Sequence, residues 1–279
     1  MKKDLISGLL GALVSLLIFA LTYVLLEPIY IDKFLPRSKI EAIIYFPTII
    51  FAPISALAIH ELGHLITGIV LGQKFKLFVV AFFGVEENNG KIKIFLNKNL
   101  AYFGGIMAVV PKSINDINYK IFAKILISGP ITSFLYGIFC LLIFFNFDTY
   151  LNSFFGLSAL TSLGLFLATT IPNKSGIMFT DRKRFQRLIS KGKSQDAEIA
   201  MYQILSQSII ENSFKNIDIE KTYIVEKDVD FEMKFWAEYL RFLYYKENIL
   251  HEDMESSKTN LMNFKANIGK NVWKSLNID

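Results

Sequence analysis

Four long stretches of this chain carry no charged residue, and they constrain its fold more than any other feature. Each is close to the roughly 20 residues that a helix needs to cross about 30 Å of hydrocarbon. With 52% hydrophobic residues and a mean hydropathy of +0.38, the chain is too apolar for an ordinary soluble domain. The sequence therefore predicts a mostly α-helical, multi-pass membrane protein with about four transmembrane helices. The uncharged stretches are residues 5–26, 42–59, 125–147 and 149–173.

Basic residues predict how these spans are oriented. Residues 72–121 contain seven lysines against three acidic residues, and residues 182–193 contain six basic residues and no acidic one. The positive-inside rule places both segments in the cytoplasm, together with the N- and C-termini. The first apolar stretch has no small-residue cleavage site, so we expect it to be retained as a span over about 5–28. The basic segments lack the aromatic interleaving of nucleic-acid-binding folds, so no nucleic-acid partner is expected.

The chain between the second and third spans has a different pattern. Residues 73–105 are rich in β-branched and aromatic residues, with an Asn-Asn-Gly turn at 88–90 and the alternating KIKIF after it. This pattern predicts a β-hairpin or small sheet on the cytoplasmic face. Later apolar periodicity predicts helices at 195–212, 230–250 and near 255–276, with the aromatic stripe of the second helix in a core. The predicted domains are an N-terminal helix and linker (1–41), a membrane core (42–181) and a cytoplasmic helical domain (182–279).

The second span contains the sequence HELGH. His60 and His64 are four residues apart, so on a helix both imidazoles lie on one face and can reach one metal ion. Glu61 is rotated from His60 by about 100°, which places it beside that ion as a candidate general base. This is the H-E-x-x-H pattern of zinc hydrolases. A buried glutamate is costly in a membrane unless it is paired or functional, and bound Zn²⁺ would compensate it.

A catalytic zinc site needs a third protein ligand. Cys140, the only cysteine, lies in the third apolar stretch, and His251 lies in the soluble tail, so a carboxylate is required. Asp181 is the best candidate because it follows the fourth span at the depth predicted for the two histidines. The alternative is that Asp181 caps a helix or pairs with the basic residues that follow it. The single cysteine excludes a disulfide framework.

The order of four motifs resembles the site-2 protease family of intramembrane zinc metalloproteases. HELGH matches that family's zinc helix, and FGG falls where the family has a membrane-associated sheet. ISGPITSFL resembles its Gly-Pro motif, and IPNKSGIMFTD resembles the motif that holds the third ligand. Two positions depart from the family pattern: Arg182 stands where glycine is usual, and Thr169 stands where asparagine is frequent. The four motifs are at residues 60–64, 103–105, 127–135 and 171–181.

The resemblance implies a function and assigns roles to named residues. It implies that His60, His64 and Asp181 bind Zn²⁺ and that Glu61 activates water for attack on a peptide carbonyl. It also implies that the sheet pairs with an unwound substrate. The expected activity is hydrolysis of membrane-protein or membrane-peptide substrates, in or next to their transmembrane segments, as in regulated intramembrane proteolysis. Three further residues are expected to bind substrate: Gly104, Gly105 and Asn173.

Two other classes of function are compatible with the sequence. The departures at Thr169 and Arg182 motivate a non-proteolytic alternative, a metal-binding membrane protein that acts as a regulatory or immunity-type component. A transporter that uses the buried histidines and glutamate as a proton relay is less favoured. Such relays distribute charged residues over several spans, whereas here they cluster on one helix with one distant aspartate. The sequence does not predict an oligomeric state.

Overall fold

A computed structural model of the protein describes residues 32–88, 90–99, 102–175, 177–276 and 278, together with Ala20 and Tyr23. The predicted first span, about 5–28, falls outside this description except for those two residues. Three helices within the described part are long and apolar enough to cross a membrane. They correspond to the predicted second, third and fourth spans, for which the sequence predicts bounds of about 42–71, 121–146 and 151–171, and their ends agree with these bounds to within three residues. The helices are α1 (Lys39–Val70), α2 (Tyr119–Asn146) and α3 (Asn152–Thr170).

The three long helices pack against one another with small residues inside and large apolar residues outside. Ala52, Ala56 and Ala159 are completely buried, and small side chains at such positions allow membrane helices to approach closely. On the outer surface, Ile43 and Phe46 are each 74% exposed. An exposed surface of this kind suits a lipid environment and would be unfavourable in water.

Polar contacts close one end of the bundle. Arg37, just before α1, forms an ion pair of 3.0 Å with Asp148, in the connection between α2 and α3. The ammonium group of Lys33 donates to the carbonyl oxygens of Phe144 and Phe145, at 3.2 and 3.1 Å, near the C-terminus of α2. A lysine is favourable there because the last carbonyls of a helix lack intrahelical partners. The C-terminal ends of α1 and α3 and the start of α2 therefore lie at the opposite end.

The segment between α1 and α2 folds into a four-stranded antiparallel sheet. Its order is β3-β2-β1-β4, so the predicted hairpin, β2 with β3, is one half of it. The buried face of β1 packs on α1, where Phe78 and Val80 contact Leu57 and Leu62 among other apolar residues. This packing attaches the sheet to the half of α1 that carries the HELGH motif. The strands are β1 (Lys74–Val80), β2 (Phe83–Asn88), β3 (Lys91–Leu96) and β4 (Ile106–Val110).

In the described residues after α3, the chain forms a short hairpin and six α-helices. The predicted helices at 195–212 and 230–250 correspond to α5 and α7, and the aromatic residues of α7 lie in a core as predicted, with Phe235 completely buried. These elements are β5 (Lys174–Ser175), β6 (Met178–Phe179), α4 (Asp181–Ile189), α5 (Lys193–Glu211), α6 (Glu220–Glu226), α7 (Phe231–Glu247), α8 (His251–Met262) and α9 (Lys270–Ser275).

The prediction of one helix near 255–276 was wrong. The chain forms α8 and α9 there, separated by a 3-10 turn at Lys265–Asn267. The interruption lets Leu261, Ile268 and Trp273 all enter the apolar core that surrounds Phe235. A continuous helix could not direct these side chains to one cluster, so burial of apolar surface overrides the local helical pattern.

Candidate metal centre

Two histidines of α1 face the interior of the helix bundle. His60 and His64 are 4% and 5% exposed, and their Nε2 atoms lie 3.3 Å apart. The two rings stand nearly perpendicular, at 86°, with their centroids 4.9 Å apart. This arrangement follows from the helical spacing, which places residues i and i+4 one above the other.

Residues of α2 contact the Nδ1 atom of both imidazole rings and fix their orientation. His64 Nδ1 lies 2.6 Å from the carbonyl oxygen of Ile125, and His60 Nδ1 lies 2.8 Å from Ser133 Oγ. A carbonyl can only accept, so His64 Nδ1 carries the proton and donates it. The amide nitrogen of Gly129 lies 3.3 Å from the same Nδ1, a longer contact that does not change this assignment. The Nε2 lone pair of His64 is therefore available to a metal.

The imidazole ring of His64 leaves space only for glycine at position 129. A Cβ atom at position 129 would lie 2.2 Å from His64 Nε2. No side chain larger than hydrogen fits there without displacing the imidazole. The Gly-Pro motif of the sequence thus has a steric role, since it allows α2 to approach the face of α1 that carries His60 and His64.

Asp181 approaches the two histidines from a later part of the chain, after α3. The hairpin of β5 and β6 turns the chain back after α3, and α4 begins at Asp181. Its Oδ2 lies 3.3 Å from His60 Nε2 and 3.4 Å from His64 Nε2. Burial alone would raise the pKa of Asp181, but the neighbouring imidazoles of His60 and His64 lower this pKa well below its ordinary value. Asp181 is therefore a carboxylate at neutral pH, next to the positive end of the α4 dipole.

The three donor atoms fit one tetrahedrally bound ion. Their separations of 3.3, 3.3 and 3.4 Å form a nearly equilateral triangle. Four ligands at about 2.0–2.1 Å around zinc give ligand–ligand distances of about 3.3–3.4 Å. Two imidazole nitrogens and one carboxylate oxygen leave the fourth position for water or substrate, as catalytic zinc sites require. Thus His60, His64 and Asp181 could hold a metal ion.

Glu61 lies between this centre and the sheet. It follows His60 on α1 and is near enough to His60, His64 and Asp181 to interact with them electrostatically. Gly105, just before β4, has a φ of +92°, and a Cβ there would lie 2.8 Å from Glu61 Oε1. The backbone of Gly105 therefore passes close to the Glu61 carboxylate. Around Gly104 the space is open.

A comparison with protein-family models matches residues 48–275 to "Peptidase family M50". The chain belongs to this family. M50 is the site-2 protease family that the four sequence motifs resemble, so the protein is a membrane metalloprotease by family. The match extends beyond the predicted core of 42–181 and includes nearly all of the C-terminal helices. Comparisons with curated proteins and with solved structures each returned no match.

The remaining motif residues of this M50 peptidase are not among the three donors. Asn173 closes the hairpin, since its backbone oxygen accepts from the amide of Thr180 at 3.1 Å and its side-chain oxygen accepts from the amide of Lys174 at 2.8 Å. Thr169 donates to the carbonyl of Leu165 in its own helix. The Arg182 guanidinium lies 5.3 Å from the Phe185 ring centroid. Neither departure from the family pattern alters the three donors.

Two site residues of the M50 peptidase were missed by the sequence reasoning. Ile125 contributes only a backbone carbonyl, which no side-chain pattern can indicate. Ser133 was quoted within the Gly-Pro motif without a role, yet it is completely buried and contacts His60. Its backbone oxygen in turn accepts from Ser162 Oγ at 2.8 Å, which ties α2 to α3 behind the centre. A signal was available, because Ser133 lies one helical turn after Gly129.

Proposed function

We propose that this M50 peptidase is an intramembrane zinc endopeptidase that hydrolyses peptide bonds in or next to transmembrane segments. The observation that carries the proposal is the donor triangle of His60, His64 and Asp181, with sides of 3.3–3.4 Å, beside Glu61. The alternative role as a non-proteolytic regulatory protein has no comparable support, because the side chains that motivated it lie outside this triangle.

The mechanism assigns one task to each group. His60, His64 and Asp181 would hold zinc, which supplies Lewis-acid polarisation of the scissile carbonyl and of the attacking water. Glu61 accepts the proton of that water as it attacks and then delivers the proton to the leaving amine nitrogen. The buried environment keeps other water away from these groups and strengthens their electrostatic interactions.

The surroundings of the centre favour a substrate that arrives from the bilayer. The centre lies inside helices whose outer surface is apolar, and β4 is an edge strand of the sheet. A transmembrane helix must unwind before its carbonyls become accessible, and an edge strand can bind the unwound segment by strand addition. We assign Gly104 and Gly105 to this step because they lead into β4 beside Glu61. Asn173 is included because it is exposed on the hairpin that delivers Asp181.

The membrane orientation is part of the proposal. The lysines of the sheet segment support an orientation in which the metal end of the bundle faces the cytoplasm. The C-terminus, and the N-terminus if the first span is present as predicted, then lie in the cytoplasm. The expected partners are the lipid bilayer and a membrane-protein or membrane-peptide substrate.

Metal removal tests this function directly. The full chain would be reconstituted in liposomes with a panel of fluorescent single-span peptides, and cleavage would be measured before and after treatment with 1,10-phenanthroline. We expect chelation to abolish cleavage and about one equivalent of Zn²⁺ per chain to restore it, because the metal supplies several kcal/mol of transition-state stabilisation. Inhibitors of serine proteases serve as the control and should have no effect. Chelator-resistant cleavage, or no cleavage by the zinc-loaded protein, would contradict the proposal.

A further inference from the structure

We propose that the C-terminal helical domain positions the third metal ligand, with Arg187 and Lys174 as the positioning residues. The inference rests on the proposed metal site and adds a role for the domain beyond it. Asp181 is not on the transmembrane helices that hold the two histidines. It lies between the β5–β6 hairpin and α4, so whatever fixes these two elements fixes the Asp181 carboxylate.

Arg187 connects α4 to the domain. It lies six residues after Asp181 on the same helix, and its side chain is 4% exposed. The guanidinium binds Glu198 at 3.0 Å, Asp228 at 2.9 Å and Asp230 at 2.7 Å. Arginine suits this position because its planar group can donate to several carboxylates at once. A buried arrangement with three acidic partners is costly to disturb, since loss of the cation removes the arginine that pairs with the completely buried Asp228.

The hairpin on the other side of Asp181 is fixed to the same part of the domain. The ammonium group of Lys174, in β5, lies 3.3 Å from Asp230 and 2.8 Å from Glu232. The indole nitrogen of Trp236 donates to the carbonyl of Ile177 at 2.8 Å. The contacts before and after Asp181 therefore converge on residues 228–236, at the start of α7.

A neighbouring side of α4 packs on the membrane bundle. Leu188 is completely buried against Ala123 and Leu126 of α2. Helix α4 is thus held between the bundle and the C-terminal domain. Ligand positions in metal sites are defined to about 0.2 Å, so even a small shift of α4 would move Asp181 out of bonding distance. His60 and His64 would stay in place, because their Nδ1 atoms are held by α2.

When the contacts of Arg187 or Lys174 are weakened, we expect a specific defect at the metal site. The two-histidine part of the site should remain while the carboxylate ligand is lost or displaced. A general loss of stability would not have this signature. Arg241 offers a matched control, because it is 7% exposed in the same domain and pairs with Glu226 and Glu238, away from the hairpin.

The experiment compares Arg187→Lys with Arg241→Lys in the full detergent-purified chain. The readouts are the zinc dissociation constant, by competition with a chromophoric chelator, and the visible absorption spectrum of the Co²⁺-substituted protein. We expect Arg187→Lys to weaken zinc binding about 10–100-fold, the effect usual for outer partners of metal ligands. Its Co²⁺ spectrum should move towards that of Asp181→Ala, whereas Arg241→Lys should retain the wild-type constant and spectrum.

A second pair of variants tests the inference even if Arg187→Lys fails to fold. Lys174→Met removes the ion pairs of the hairpin with Asp230 and Glu232, and Lys221→Met removes a surface pair with Asp218 in the same domain. Weaker zinc binding in Lys174→Met alone supports the inference. If the two variants of each pair bind zinc with equal affinity, the inference is overturned, while the proposed protease function remains intact. If the wild type binds no zinc, the proposed function fails and the inference fails with it.

Discussion

Replacing Glu61 by glutamine is expected to abolish peptide cleavage while leaving the bound metal in place. Glutamine has nearly the same size but cannot accept a proton from the attacking water. General acid–base groups contribute about 10²–10⁴-fold to rate, so kcat should fall by at least that range. His60, His64 and Asp181 are unchanged, and zinc content should therefore remain at the wild-type level. Single-turnover cleavage of a reconstituted peptide, with metal analysis of the same sample, measures both quantities.

Glu41→Gln is the matched control. Glu41 lies in the first turn of the same helix, at the end opposite to the metal centre, where its carboxylate accepts from the amide of Arg37 at 2.6 Å. This substitution should leave kcat within about twofold, since surface changes away from a site have small effects. Wild-type turnover by Glu61→Gln would refute the general-base role. Loss of zinc in that variant would instead assign Glu61 to the metal site.

Replacing Gly129 by alanine is expected to remove the metal without touching any ligand. The added Cβ would lie 2.2 Å from His64 Nε2, a distance that no relaxed contact allows. Either the imidazole rotates away, which breaks its hydrogen bond to Ile125, or α2 moves away from α1. Overpacking of this kind costs about 1–3 kcal/mol of folding free energy. Zinc content and the thermal unfolding midpoint of the purified variant give the two readouts.

Gly164→Ala separates this steric effect from the general effect of alanine in a helix. Gly164 lies in α3, and a Cβ there would meet no described atom within 4 Å beyond the adjacent residues and the backbone of its own helix. Alanine favours a helix over glycine by about 1 kcal/mol, so Gly164→Ala should keep its zinc and be equally or more stable. If Gly129→Ala retained stoichiometric zinc, the close approach of α2 to His64 would not be needed for metal binding.

Local patterns were sufficient to predict most of what makes this chain a membrane metalloprotease. Uncharged stretches of helical length predicted α1, α2 and α3, and the spacing of His60, Glu61 and His64 predicted one metal-binding face. Asp181 was selected because of its position after α3, and the structure brings it to the two imidazoles. These features depend on helix periodicity and on the length of apolar stretches relative to membrane thickness. Both can be read from a single sequence.

Features that depend on distant parts of the chain were not predictable in this way. In the sheet, whose order is β3-β2-β1-β4, β4 pairs with β1 although β2 and β3 lie between them in the sequence. The basic segment 182–193 was interpreted as a cytoplasmic membrane face, yet Arg184 and Arg187 form ion pairs with Glu198 inside the protein. Their acidic partners come from α5 and from the segment just before α7, so no local pattern reveals that these charges are compensated.

The most direct test of the central claim is the metal content of the purified protein. Wild type, His64→Ala and Asp181→Ala would be compared by elemental analysis after identical reconstitution with Zn²⁺. The proposed centre predicts about one zinc per chain in the wild type and loss of most of it in both variants, because each removes one of three protein ligands. A wild type without zinc, or full retention of zinc by both variants, would contradict the proposed centre.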